Sequence, residues 1–192
     1  MKKSAVGLFL LFLLAGLVSC AHKNPLVEIV TAKGRITVEL YIDKAPVTAG
    51  RFLELARKGV YDGGSFYRTV NGANDTNPVL IKVIQGGIST KKDVPELSPI
   101  RHEITEETGV KHVTGTISMA RDKPGSARSE FFICLRDEPE LDFGGLRNPD
   151  GQGFAAFGKV VDGMSTVLKI YQSTARGQRL DPLIPIEKMS VK

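Results

Sequence analysis

The sequence predicts a mainly β domain, a sandwich or barrel of short strands with two helices, behind a short apolar leader. Three observations carry this. Past Gly59 the chain runs through short apolar segments interrupted by glycine, at 65–70, 80–84, 115–119, 130–135 and 155–160. Many short strands joined by turns read this way. Only two stretches, after Pro46 and after Met164, carry a helical period. Finally, 192 residues with 42% hydrophobic and 24% charged content suit one globular domain with a sizeable core.

Taken in order, Leu26–Thr31 and residues 35–41 flank Ala32-Lys33-Gly34 and predict a hairpin. In its second strand Ile36, Val38 and Leu40 alternate with Arg35, Thr37 and Glu39, giving one buried and one wet face. Pro46 suits the first position of a helix whose Ala49, Phe52, Leu53 and Ala56 share one face. Arg57 and Lys58 complement its C-terminal dipole, and Gly59 ends it. Residues 71–78, rich in Asn, Asp and Gly, predict an exposed loop rather than a calcium site, and the glycine-rich 143–152 a second loop. Cys134, inside Phe131-Phe132-Ile133-Cys134-Leu135, reads as a small core residue rather than a nucleophile. Met164–Tyr171 predicts the second helix, with Val167, Leu168 and Tyr171 as its apolar stripe, and residues 181–191 a closing strand.

Several function classes are disfavoured. The formal charge is +5, but Lys2 and Lys3 lie in the leader, and the remaining 24 Lys and Arg against 21 Asp and Glu are scattered. That is a solvated surface and not a nucleic-acid footprint. His22, His102 and His112 lack metal-ligand spacing, and no Gly-x-Ser-x-Gly elbow or phosphate-binding glycine loop occurs. No cofactor or metal is expected.

The leader has an address. Met1-Lys2-Lys3-Ser4 precedes an apolar run from Ala5 to Val18, too short for a comfortable membrane span. Leu17-Val18-Ser19-Cys20 resembles the lipobox of bacterial lipoproteins. The resemblance implies a signal peptide at 1–19, an acylated Cys20 on a tether at 20–25, and a folded domain at 26–192. Two or three acyl chains anchor a protein stably where one does not. Ala21, rather than aspartate, follows the cysteine. The expected place is the cell envelope, facing the periplasm, on the outer membrane if the source is Gram-negative. With Cys20 acylated, Cys134 has no partner for an intramolecular disulfide.

The middle of the chain carries the chemistry. Phe66-Tyr67-Arg68, Val83-Ile84-Gln85-Gly86-Gly87, Gly115-Thr116-Ile117-Ser118-Met119-Ala120, Glu130-Phe131-Phe132-Ile133-Cys134, Leu141-Asp142 and Phe157-Gly158-Lys159-Val160 resemble the cyclophilins, in family order across 26–192. The resemblance implies a closed eight-stranded antiparallel β-barrel capped by two α-helices. It also implies peptidyl-prolyl cis–trans isomerase activity on Pro-containing polypeptides, during the folding of exported proteins. Arg68, Gln85 and Phe132 match the catalytic arginine, the groove glutamine and the floor of the proline pocket. Phe66, Val83, Met119, Ala120, Arg121, Leu141 and Phe154 fall at or beside substrate-contacting positions. A monomer is expected from the fold analogy alone.

The chemistry suits those residue types. Twisting an X–Pro amide breaks resonance, against a barrier of about 18–20 kcal/mol, and the twisted prolyl nitrogen regains a lone pair. A guanidinium can donate to that lone pair and so favour the twisted state over both planar ones. Four positions depart from the family: Glu140 where tryptophan is common, Phe154 for a pocket histidine, Arg121 for an asparagine and Lys82 for a phenylalanine. Loss of the tryptophan implies weak sensitivity to cyclosporin. Residues 71–80 look inserted, because the spacing from Arg68 to Gln85 is wide. Gln85 has a second reading, as a brace for the turn at Gly86-Gly87. The altered rim also leaves open a non-catalytic module that binds Pro-containing peptides.

Overall fold

The computed structural model describes residues 24–192. The expected leader, Cys20 and the start of the tether lie outside the described residues. The predicted hairpin forms, β1 (Leu26–Thr31) pairing antiparallel with β2 (Gly34–Leu40) and Val27 facing Val38. Helix α1 (Pro46–Arg57) buries the expected Ala49, Phe52, Leu53 and Ala56. Ala45 offers no side chain to cap it, so the buried carboxylate of Glu103 accepts from the amides of Val47 (3.1 Å) and Thr48 (2.7 Å). An anion there answers both the orphan donors and the helix dipole. From this helix Phe52 packs against the rings of Tyr61, Phe131 and Phe157.

The remaining strands are β3 (Ser65–Val70), β4 (Val83–Gly87), β5 (Thr116–Met119), β6 (Phe131–Cys134), β7 (Ala155–Asp162), β8 (Ala175–Arg176) and β9 (Arg179–Val191). Their order in one antiparallel sheet is β1-β2-β7-β5-β6-β4-β3-β9-β8, and β1 also pairs with β9. The expected count of eight strands and two helices is corrected to nine strands and three α-helices among the described residues. The additions are β8, two residues long, and α2 (Thr105–Thr108), one turn long. Neither is long enough to display a period.

Several strand boundaries also move. β4 begins at Val83 rather than residue 80 and runs on through Gly86 and Gly87. Glycine read as a turn, yet at Gly86 it lies within the strand, where a Cβ would come 2.9 Å from the Phe66 ring. The final strand starts at Arg179, not residue 181. Helix α3 (Met164–Tyr171) forms as predicted but buries Thr166, Val167 and Ile170, leaving Leu168 46% exposed. It packs on β2, and Thr37, expected to be wet, is buried.

Apolar side chains cover two faces of the sheet. On β6, Phe131 and Ile133 join the main core, while Phe132 and Cys134 join a second cluster with Val70, Ile81, Val83 and Leu141. The two-residue period of a strand sends alternate residues to opposite faces. This second cluster is the floor of the site. Cys134 is fully buried there, as a core residue should be, and burial raises its thiol pKa well above the ordinary value.

Candidate active site

A bulge in β3 creates the site. Phe66 pairs with Gly86 and Arg68 with Gln85, so Tyr67 is an extra residue between them. Under strict alternation Arg68 would share the core-facing side of Phe66. The bulge re-aims it. Phe66 is fully buried in the core, whereas Tyr67 and Arg68 both line a groove of about 590 Å³ on the outer face.

Within the groove, the half-buried Arg68 is held on two sides. Its Nη1 donates to Oε1 of Gln85 at 2.7 Å. Its Nε and Nη2 both donate to Oε1 of Gln178, at 2.8 and 2.6 Å. Gln85 in turn donates from Nε2 to the Tyr67 hydroxyl at 2.7 Å. Burial, and secondarily the charge of Glu130, push the Tyr67 phenol well above its usual range, so it stays protonated. Burial first, then repulsion from Arg147, pulls the Arg68 pKa down from the ordinary arginine value. A guanidinium starts so high that it remains charged at neutral pH.

Beside this polar row lies an apolar pocket. Phe132, Val83, Ile81 and Leu141 line it with Ala120 and Phe154. The Phe132 ring is fixed from both sides: His112 stacks on it (5.9 Å, 12°) and Phe154 meets it edge-on (5.2 Å, 85°). His112 is fully buried. It shares a 2.8 Å hydrogen bond with Asp142 through Nδ1 and a 2.9 Å bond with Ser118 through Nε2. Burial lowers the His112 pKa despite Asp142. The ring is therefore neutral at pH 7, donating from Nδ1 to Asp142 and accepting from the Ser118 hydroxyl. Ser118, equally buried, is a brace and not a nucleophile.

The rim is made from the two loops. Arg121, its side chain 1% exposed, bridges to Asp150 (2.7 and 2.9 Å) and to the carbonyl of Gly153, with its guanidinium over the Phe154 ring. It is a clamp on the 143–152 loop more than a free charge for substrate. Glu140 turns away, its carboxylate accepting from the Leu146 amide at 2.8 Å. Lys82 is exposed and its neighbour Ile81 lines the pocket instead. On the same side Arg147 and Asn148 line the groove. Arg147 pairs with Asp75 at 2.7 and 3.1 Å, joining the two loops. Residues 71–78 are thus not the simply exposed loop expected: the Asp75 side chain is 1% exposed.

The structure brings together Arg68, Gln85, Phe132, Val83, Ala120, Arg121, Leu141 and Phe154 around one groove. It does not bring Phe66 or Met119 there. Both are buried in the main core, because each lies on the inward side of its strand. Sequence reasoning missed Tyr67, His112, Arg147 and Gln178. Tyr67 lies within the Phe66-Tyr67-Arg68 motif but was given no role there, and the other three carry no local signal.

Comparison with known proteins agrees with this fold. Residues 26–191 match the family model described as cyclophilin type peptidyl-prolyl cis-trans isomerase/CLD. A peptidyl-prolyl cis-trans isomerase of Acinetobacter baylyi is 34% identical over 187 residues, covering 93% of this chain and 92% of its own. Peptidyl-prolyl cis-trans isomerase B of Escherichia coli is 37% identical over 143 residues, covering 73% of this chain and 80% of its own. In fold, the chain resembles a cyclophilin type isomerase of Cryptosporidium parvum, whose crystal structure was determined in the presence of the dipeptide Ala-Pro. The TM-score is 0.70 at 24% identity, over 87% of this chain and 98% of that one. The chain belongs to the cyclophilin-type peptidyl-prolyl cis–trans isomerase family.

Proposed function

We propose that this isomerase acts on X–Pro bonds of exported polypeptides at the cell envelope, with Arg68 stabilising the twisted amide. The observation that carries the reading is a charged guanidinium held between Gln85 and Gln178 at the edge of an apolar pocket floored by Phe132. The pocket takes the proline ring, and the polar row holds the flanking backbone while one side of the bond turns. A donor already in place when the prolyl nitrogen regains its lone pair stabilises that state without reorganisation. No nucleophile and no proton transfer enter the step. Cys20, following Leu17-Val18-Ser19, supports tethering of the domain to the membrane by acyl chains, and Ala21 after it supports the outer membrane if the cell is Gram-negative.

The test is exchange NMR on a short Ala-Pro peptide with the wild-type domain and Arg68→Ala. Losing a preorganised donor costs about 2.7–4 kcal/mol, or about 10²–10³ in kcat. Equal rates for the two proteins would refute the role given to Arg68. For the anchor, Cys20→Ser should move the protein from the membrane fraction or block its processing, and unchanged fractionation counts against lipidation.

A further inference from the structure

The Arg68 guanidinium has five N–H donors and no acceptor. Three are committed, one to Gln85 and two to a single oxygen of Gln178. That leaves one N–H on each terminal nitrogen for substrate. Which two remain, and where they aim, depends on the plane of the guanidinium. Two bonds from Nε and Nη2 to one atom set that plane, since a single bond from Gln85 would leave it free to swivel.

Gln178 is itself held at both ends. Its backbone carbonyl accepts from the Thr69 amide at 2.9 Å, next to Arg68 in β3. Its Nε2 donates to the carbonyl of Asn74, at 3.0 Å, in the 71–80 loop. An amide turned the other way would set Nε2 against the Arg68 donors and Oε1 against a carbonyl, so only one orientation is satisfied. Asn74 fixes the arrangement, its Nδ2 donating to the carbonyls of Thr69 (3.1 Å) and Gly177 (3.0 Å). Because the acceptor is an amide and not a carboxylate, the guanidinium keeps its full charge for the substrate.

We propose that Gln178 is a positioning residue for the isomerisation, orienting Arg68, and that the 71–80 loop acts in catalysis by locking the Gln178 amide through Asn74. This rests on the reading of Arg68 above. The loop, which looks inserted by its spacing, becomes part of the support for the reacting group.

The experiment compares wild type, Arg68→Ala, Gln178→Met and Gln178→Glu in the same exchange assay, with kcat and KM separated. Thermal melting is measured on each variant, and the side-chain Nε–Hε resonance of Arg68 on wild type and on the folded Gln178 variants. Methionine keeps the length and removes the acceptor. It should lower kcat about ten-fold with KM changed less than two-fold, as expected for an interaction that matters in the transition state. The Arg68 resonance should lose its protection from water exchange while the melting midpoint holds. Glutamate puts an oxygen in the same place. It should keep that protection but lose at least three-fold in kcat, because its second oxygen cannot donate to the Asn74 carbonyl and its charge offsets that of the guanidinium. An unchanged kcat in Gln178→Met overturns the proposal, and so does a lost kcat with an unaltered Arg68 resonance. If the methionine variant does not fold, a glutamate variant as fast as wild type overturns it. Should Arg68→Ala be as fast as wild type, the underlying reading fails. Should Arg68→Ala be slow and Gln178→Met fast, only the positioning role fails.

Discussion

Arg147→Ala tests whether the two loops form a fixed wall. The Arg147 side chain is 10% exposed and that of Asp75 1%, so truncation leaves an unpaired carboxylate out of water. Breaking a buried pair from one side costs about 3–5 kcal/mol. Asp75 would still accept from the amides of Asn77 and Ile81, both at 3.2 Å. Those two bonds place the cost near the lower end, about 3 kcal/mol. At about 2–4 °C per kcal/mol for a domain of this size, the melting midpoint should fall by about 6–12 °C. Replacing both charges, in Asp75→Asn with Arg147→Met, should recover part of the loss, because no buried carboxylate is left unpaired, although the asparagine has one acceptor oxygen for the amides of Asn77 and Ile81. The assay is thermal unfolding of the wild type, the single variant and the double variant at pH 7. A pH series adds a check on sign. Burial works to raise the Asp75 pKa, but Arg147 and the two amides outweigh it, and the net direction is down. A depressed carboxyl pKa gives stability that is present above about pH 4 and lost as pH falls through the folded pKa. The gap between wild type and Arg147→Ala should therefore close in acid. A midpoint shift under 2 °C in the single variant, or a double variant no better than the single, refutes the reasoning.

Two further outcomes follow from the polar row and the pocket floor. Tyr67→Phe leaves Nε2 of Gln85 without its acceptor. One such bond is worth about 0.5–1.5 kcal/mol, so kcat/KM on the Ala-Pro peptide should fall about two- to ten-fold, and an unchanged value would place Tyr67 outside the network. His112 has a folded pKa below its unfolded value, because burial outweighs Asp142. The unfolded chain then binds more protons below about pH 6.5, and stability should decline from there downward. In His112→Gln that decline should flatten, as read by denaturant midpoints between pH 7 and 5. An identical slope in both proteins would show that His112 does not titrate on unfolding.

The sequence carried the elements whose side chains keep a simple period. Helix α1 was legible because Ala49, Phe52, Leu53 and Ala56 share one face, and the β1–β2 hairpin because its second strand alternates. Legibility failed where two faces of the sheet are apolar. In Phe131-Phe132-Ile133-Cys134 every residue is buried, alternately in the main core and in the pocket floor. Hydrophobicity is then continuous along the strand, and nothing local tells Phe132 from Phe131. The family resemblance supplied that distinction. It misassigned Phe66 and Met119, which adjoin Tyr67 and Ala120 in sequence but face the core.

The bulge explains why the motif around Arg68 is recognisable by resemblance yet out of reach of periodicity. Alternation from Phe66 predicts a buried arginine two residues on, and only the shifted register at Tyr67 delivers the guanidinium to the groove. The groups that hold Arg68 were hidden for a different reason. Gln178 lies 110 residues further along the chain, in the turn after β8. Arg147 meets Asp75 from 72 residues away. Neither contact belongs to a helix or strand period, so no rule of spacing could pair them. Both come from loops, where a single sequence shows composition but not direction. These loops fix the guanidinium plane and the far wall of the groove. The setting of the Arg68 guanidinium and the far wall of the groove are therefore written in the part of the chain that periodicity reads least well, while Arg68 itself sits in the motif that resemblance reads best.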